Sequence, residues 1–163
     1  MKKKIANILR KKGKSKIVSL TSYSKNIAKI LDNCCDIVLV GDSMANVLYG
    51  HENTNKISLD NIIQHTLSVE KGIKKSLLVV DLPKGTYTDE RIAKKNALKI
   101  MKKTKSDAVK LESNKKNFKI IKTLTKLNIP VMGHIGYTPQ FKKKFKVEGN
   151  NDSKAQKLLK EAL

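Results

Sequence analysis

Three apolar segments of the chain each run into an acidic residue: Ile37-Val38-Leu39-Val40-Gly41-Asp42, Leu77-Leu78-Val79-Val80-Asp81 and Ala108-Val109-Lys110-Leu111-Glu112. Stretches of helical periodicity lie between them. That alternation predicts parallel strands joined by helical crossovers, because an apolar run needs cover on both faces of its sheet. Parallel strands bring their C-terminal ends to one edge, so the three carboxylates are expected to gather where such folds carry their chemistry. Carboxylates meeting at one point repel one another unless a hard cation sits between them. The pattern therefore reads as a divalent metal site.

The remaining elements follow from the same rules. Ile5 to Arg10 carry a short amphipathic pattern that Gly13 and Lys14 break, which predicts a small leading helix. Lys16 to Thr21 read as a first strand, and Ser24 as the cap of a helix through Ile27, Ala28, Ile30 and Leu31, ending near Asn33. A strand over Asp36 to Val40 follows, then a loop with Gly50 and Asn53. Ser58 precedes a helix through Leu59, Ile62, Ile63, Thr66 and Val69, with Gly72 as its stop signal. The strand Ser76 to Val80 leads into Asp81-Leu82-Pro83, where Pro83 fixes an extended exit. Asp89 and Glu90 open a long helix through Met101, a strand runs over Asp107 to Leu111, and a helix is centred on Phe118 to Leu127. Ile129 to Gly133 form a last strand, Gly136 to Gly149 a basic loop, and a helix begins at Ser153.

Five strands in 163 residues make a single domain of α/β class. A closed (β/α)₈ barrel needs eight strands and about 250 residues. The reading is thus one partial TIM-barrel domain over residues 1–163, with about the first five βα units and one side open. No apolar run approaches the roughly 20 residues of a membrane span, and Met1-Lys2-Lys3-Lys4 leads into no signal-peptide core, so a cytoplasmic chain is expected. Cys34 and Cys35 are adjacent, which disfavours a disulfide between them and suggests packing roles. The formal charge of +21 invites a nucleic-acid reading. Its distribution opposes that: lysines are spread along the whole chain, aromatics are only 4%, and the clusters Lys2 to Lys4 and Lys142 to Lys144 have no stacking partners beyond Phe141 and Phe145.

At its motif blocks the chain resembles the ketopantoate hydroxymethyltransferase family, also called 3-methyl-2-oxobutanoate hydroxymethyltransferase. The blocks are Lys16-Ile17-Val18-Ser19-Leu20-Thr21-Ser22-Tyr23, Val40-Gly41-Asp42-Ser43, Leu59-Asp60-Asn61-Ile62-Ile63-Gln64-His65-Thr66, Asp81-Leu82-Pro83-Lys84-Gly85-Thr86-Tyr87, Val109-Lys110-Leu111-Glu112, and Ile129-Pro130-Val131-Met132-Gly133-His134-Ile135-Gly136-Tyr137-Thr138-Pro139-Gln140. The chain departs from the family wording at Lys84 and Thr86, and at Ser113-Asn114 directly after Glu112.

The resemblance implies a magnesium ion on Asp42, Asp81 and Glu112, and a keto-acid substrate on Asp42, Ser43, Asp81 and Lys110. It also implies the reaction. A hydroxymethyl group passes from 5,10-methylenetetrahydrofolate to 3-methyl-2-oxobutanoate through a magnesium-stabilised enolate, giving 2-dehydropantoate (ketopantoate) for pantothenate and coenzyme A synthesis. Lys110 would place its charge near the developing oxyanion and Ser43 would donate to the substrate carboxylate. The family forms homo-oligomers, commonly decamers, which applies here if the barrel is completed. Its general-base glutamate falls beyond Leu163, so turnover by the chain alone is expected to be weak or absent. Two rivals remain: a catalytically inactive truncated remnant of the enzyme, and a basic nucleic-acid-binding protein. His134 reads equally as a pocket residue assisting proton transfer and as a structural histidine. His65, on an apolar helix face, reads as a packing residue.

Overall fold

A computed structural model describes residues 3–113, 117–142 and 144–163. Lys2, Asn114 and Lys143, named above in basic clusters and in a motif, lie outside the described residues.

Strands β1 (Ser19–Thr21), β2 (Ile37–Val40), β3 (Leu77–Asp81), β4 (Ala108–Glu112) and β5 (Val131–His134) form one sheet in sequential order. Every neighbouring pair is parallel. Helices α2 (Lys25–Leu31), α4 (Leu59–Val69), α5 (Glu90–Lys103) and α6 (Phe118–Lys126) each lie in one crossover. That is the expected α/β arrangement of TIM-barrel type over five consecutive units. Helix α1 (Lys3–Lys11) precedes the sheet and α7 (Asp152–Ala162) follows it. Among the described residues, no helix is long and apolar enough to cross a membrane.

Side-chain alternation sorts the strand residues into two layers. Val38, Val40, Leu78, Val80, Val109 and Leu111 face outward and pack with Ala28, Ile62, Ala97, Ile100 and Leu124 of the crossover helices. Ile37, Leu77, Val79 and Ala108 face the concave side, where Ile5 and Ile8 of α1 close over them. The amphipathic pattern at Ile5 to Arg10 is therefore the apolar face of a plug beneath the sheet.

Local signals acted partly as expected. Ser58 caps α4 through its hydroxyl, and Asn61 returns the bond to the Ser58 amide, a capping box. Ser24 stands at the start of α2 but its side chain makes no cap; the amide of Lys25 donates instead to the Ser68 hydroxyl of α4 at 3.1 Å. The stretch after Asp42, expected as plain loop, contains the short helix α3 (Met44–Val47) and a 3₁₀ turn at Thr54–Lys56. The first strand is three residues long and exposed, because the outer edge of the sheet gives it one partner only. Cys35 is buried as a packing residue, whereas Cys34 is exposed.

Gly72 does not end α4 by a left-handed turn. It is needed for close approach: a Cβ there would lie 2.5 Å from the Lys25 carbonyl oxygen and 2.7 Å from the Lys29 amide nitrogen. Both are backbone atoms, so α2 would have to move bodily. Gly72→Ala is expected to destabilise the fold by about 1–3 kcal/mol, read as a lower urea midpoint at unchanged slope.

Candidate active site at the C-terminal strand edge

Register explains how the site assembles. Asp81 of β3 pairs with Lys110 of β4, and Glu112 of β4 pairs with His134 of β5. Paired residues of parallel strands share a face, and Lys110 and Glu112 are two apart on one strand. All four side chains therefore stand on the concave side at the C-terminal edge. The Lys110 ammonium meets Asp81 Oδ1 at 2.6 Å, with side-chain exposures of 16% and 4%. His134 Nδ1 lies 4.0 Å from Glu112 Oε1.

Asp42 joins from the turn after β2. Its amide donates to Asp81 Oδ2 at 3.1 Å. Gly41 permits this contact, since a Cβ there would lie 3.3 Å from Asp81 Oδ2 and 3.0 Å from Ser43 Oγ. The Ser43 hydroxyl is held in turn by the Tyr23 hydroxyl at 2.8 Å.

A segment the sequence left as loop closes the site. Gln140 donates from its side-chain nitrogen to Asp42 Oδ2 at 2.8 Å and to the Leu82 carbonyl at 3.1 Å. Its backbone amide reaches both oxygens of Glu112 at 3.1 Å, and its side-chain carbonyl accepts the Tyr87 hydroxyl at 2.5 Å. Gln140, Tyr87 and Tyr23 were given no role by the sequence patterns. Each reaches the site across long sequence separations, which periodicity does not record.

Burial and mutual repulsion set the electrostatics. Burial raises Asp42, and the Asp81 charge raises it further, against hydrogen bonding from Gln140 and the charge of Lys110. Asp81 is raised by burial, with Lys110 opposing. Glu112 is pushed up to about 7 by burial and by Asp42 and Asp81, against the Gln140 amide and Lys110. Burial and the Lys110 charge lower His134, so its imidazole is neutral near pH 7 and forms no ion pair with Glu112. The buried Thr54 hydroxyl stands beside Asp42 and helps hold its carboxylate down.

Asp42, Asp81 and Glu112 thus share one electrostatic environment. Among the described residues, however, no three Asp, Glu, His or Cys side chains stand at the spacing of a metal shell. Each carboxylate is held by nitrogen donors instead: Asp81 by Lys110, and Asp42 and Glu112 by Gln140. The donor set still fits a magnesium ion, which takes one or two protein carboxylates and completes its shell with water and substrate oxygens. Asp42 and Asp81, brought together by the Asp42 backbone amide, are the two that would suit it. His65 lies away from these acids, bridging the Tyr49 hydroxyl at 3.0 Å and the Tyr23 carbonyl at 2.8 Å as a packing residue.

Comparison with known proteins agrees with this architecture. The 2,3-dimethylmalate lyase described as a PEP mutase/isocitrate lyase superfamily member is similar in structure over 82% of this chain and 54% of its own, with a TM-score of 0.56 at 12% identity. A phosphonopyruvate hydrolase complex with oxalate and Mg++ covers 70% of this chain and 40% of its own, with a TM-score of 0.57 at 10% identity. At such identities the likeness concerns the fold. In sequence, the chain is 52% identical over 162 residues to the 3-methyl-2-oxobutanoate hydroxymethyltransferase of Pelagibacter ubique (strain HTCC1062), covering 99% of this chain and 63% of that relative. The enzyme of the same name from Helicobacter acinonychis (strain Sheeba) is 39% identical over 94% of this chain and 58% of its own length. The chain therefore spans roughly three-fifths of these relatives. Residues 2–163 match the ketopantoate hydroxymethyltransferase family, and the chain belongs to it.

Proposed function

We propose that the chain carries the cation-binding and keto-acid-binding part of a ketopantoate hydroxymethyltransferase. In this reading 3-methyl-2-oxobutanoate, 5,10-methylenetetrahydrofolate and water give 2-dehydropantoate and tetrahydrofolate. The observation that carries the reading is the register that sets Asp81 against Lys110, with Asp42 hydrogen-bonded to Asp81 beside them.

Asp42 and Asp81 are the residues that would hold a magnesium ion, with Glu112 adding a third negative group to the cup. Bound there, the ion supplies Lewis acidity toward the oxygens of a 2-oxo acid. The protein's own groups do the rest. The Lys110 ammonium offers positive charge to the substrate carboxylate and to an oxyanion developing at the keto oxygen. Ser43, oriented by Tyr23, donates a hydrogen bond to the substrate anion. Neutral His134, half-buried beside Glu112, can accept or hand on a proton at the mouth of the cup. Gln140 and Tyr87 roof the acids and keep water from their buried side.

The test is calorimetric titration of the chain with 3-methyl-2-oxobutanoate, with and without Mg2+. Binding is expected only with the cation, and Asp81→Asn is expected to weaken it at least about tenfold by removing one of the charges that retains the ion. Keto-acid binding of equal strength without any divalent cation, or none with it, contradicts the reading.

A further inference from the structure

Gln140 is 3% exposed and meets the cup from a segment 98 residues away from Asp42 in sequence. Every hydrogen-bonding group of its side-chain amide is used. The nitrogen donates to Asp42 Oδ2 and to the Leu82 carbonyl, and the oxygen accepts from Tyr87. Chemistry fixes this orientation, because the turned-over amide would aim its oxygen at the Asp42 carboxylate and its N–H groups at the Tyr87 hydroxyl. With Oδ2 taken by Gln140 and the Thr54 hydroxyl beside the same carboxylate, a ligand would meet Asp42 through Oδ1. The backbone amide meanwhile divides itself between both oxygens of Glu112. One residue thus sets the direction of two acids, one in the turn after β2 and one at the end of β4.

We propose that Gln140, locked by Tyr87, is a positioning residue that orients Asp42 and Glu112 for a divalent cation. The proposal rests on the reading of the cup as a cation site. Ligating carboxylates are ordinarily hydrogen-bonded from behind, and removing such a partner costs about 10–100-fold in metal affinity. A role in closing the loop onto the sheet alone would lower stability and leave that affinity unchanged, so the two roles separate by measurement.

The probe is Mn2+, titrated into the full chain and followed by loss of the free-ion paramagnetic resonance signal, with urea unfolding run in parallel. Gln140→Met keeps the volume of the side chain and removes its hydrogen bonds to Asp42, Leu82 and Tyr87 while the backbone amide stays on Glu112, and is expected to weaken Mn2+ binding about 10–100-fold. Tyr87→Phe removes the hydrogen bond that anchors the Gln140 side-chain oxygen and loosens the amide at Asp42 without turning it over, and is expected to weaken binding at least threefold. Parent-like Mn2+ affinity in folded Gln140→Met overturns the proposal, and so does parent-like affinity in Tyr87→Phe should the first variant fail to fold. Absence of Mn2+ binding by the unmodified chain overturns the cation reading together with this proposal, whereas binding by the parent that the variants retain overturns this proposal alone.

Discussion

Lys110→Met is expected to remove about 3 kcal/mol from the stability of the protein at pH 8 without divalent cations, the low end of the range for breaking a buried ion pair. The reason lies in how many groups this ammonium serves: it opposes the upward shift of Asp42, Asp81 and Glu112 alike. Methionine keeps the stem of the side chain, so the loss reports charge rather than packing. Protonation limits the cost, because an acid without its counter-charge can take up a proton.

That limit gives the prediction its pH signature. A carboxyl whose folded pKa is raised contributes stability that is fully present below its unfolded pKa and is lost as pH rises through the folded value. For Glu112 the window runs from the ordinary 4.5 up to about 7. The parent protein should therefore be more stable at pH 5.5 than at pH 8, and the difference between parent and Lys110→Met should be smaller at pH 5.5. Millimolar Mg2+ should recover part of the loss at pH 8, since a cation bound only by the folded state stabilises it by mass action. Urea midpoints for both proteins at the two pH values check this. Equal losses at pH 5.5 and pH 8 would remove the charge argument.

The strand ends that form the cup were legible in the sequence for a specific reason. Asp81 and Glu112 end apolar runs and Lys110 stands two residues before Glu112, and side chains two apart on a strand share one face of the sheet. Asp42 needed only the turn after β2. Gln140 was not legible, because nothing local distinguishes it from its basic neighbours; its meaning comes from tertiary contacts with β2, β4 and the Tyr87 loop. Gly72 carried a true signal with a different cause, close helix approach rather than helix termination. Helix α3, at four residues, is too short to show a period. Position along the strand also separates two kinds of acid that look alike in sequence. Asp36 and Asp107 precede β2 and β4, where they accept the amides of Val18 and Leu78 at the opposite end from the cup. Lys11 and the Val18 amide lower Asp36, whereas burial raises the acids of the cup.

Asp32 extends that contrast to the largest stability effect expected from a single residue far from the site. At the end of α2 it accepts the amides of Lys74 at 3.0 Å, Lys75 at 2.9 Å and Ser76 at 2.8 Å, three successive N–H groups leading into β3. Burial raises its pKa, but these hydrogen bonds more than offset that and hold it below the ordinary value. Asp32→Ala leaves three N–H groups without their acceptor, and is expected to cost about 3 kcal/mol, near 1 kcal/mol for each. Asp32→Asn keeps one acceptor oxygen and should fall between parent and alanine. The sign with pH is opposite to that of the cup: a depressed pKa contributes stability above the unfolded value of 3.8, lost as pH falls through the folded value. The gap between parent and Asp32→Ala should therefore close only in acid, whereas the gap for Lys110→Met already narrows between pH 8 and pH 5.5. Because the amide of Ser76 fixes where β3 begins and Asp81 is its last residue, loosening the N-terminal end also loosens the register that sets Asp81 against Lys110. Weaker cation-dependent keto-acid binding in folded Asp32→Asn would report that coupling and parent-like binding would deny it, whereas a parent-like urea midpoint in Asp32→Ala would contradict the expected loss of stability.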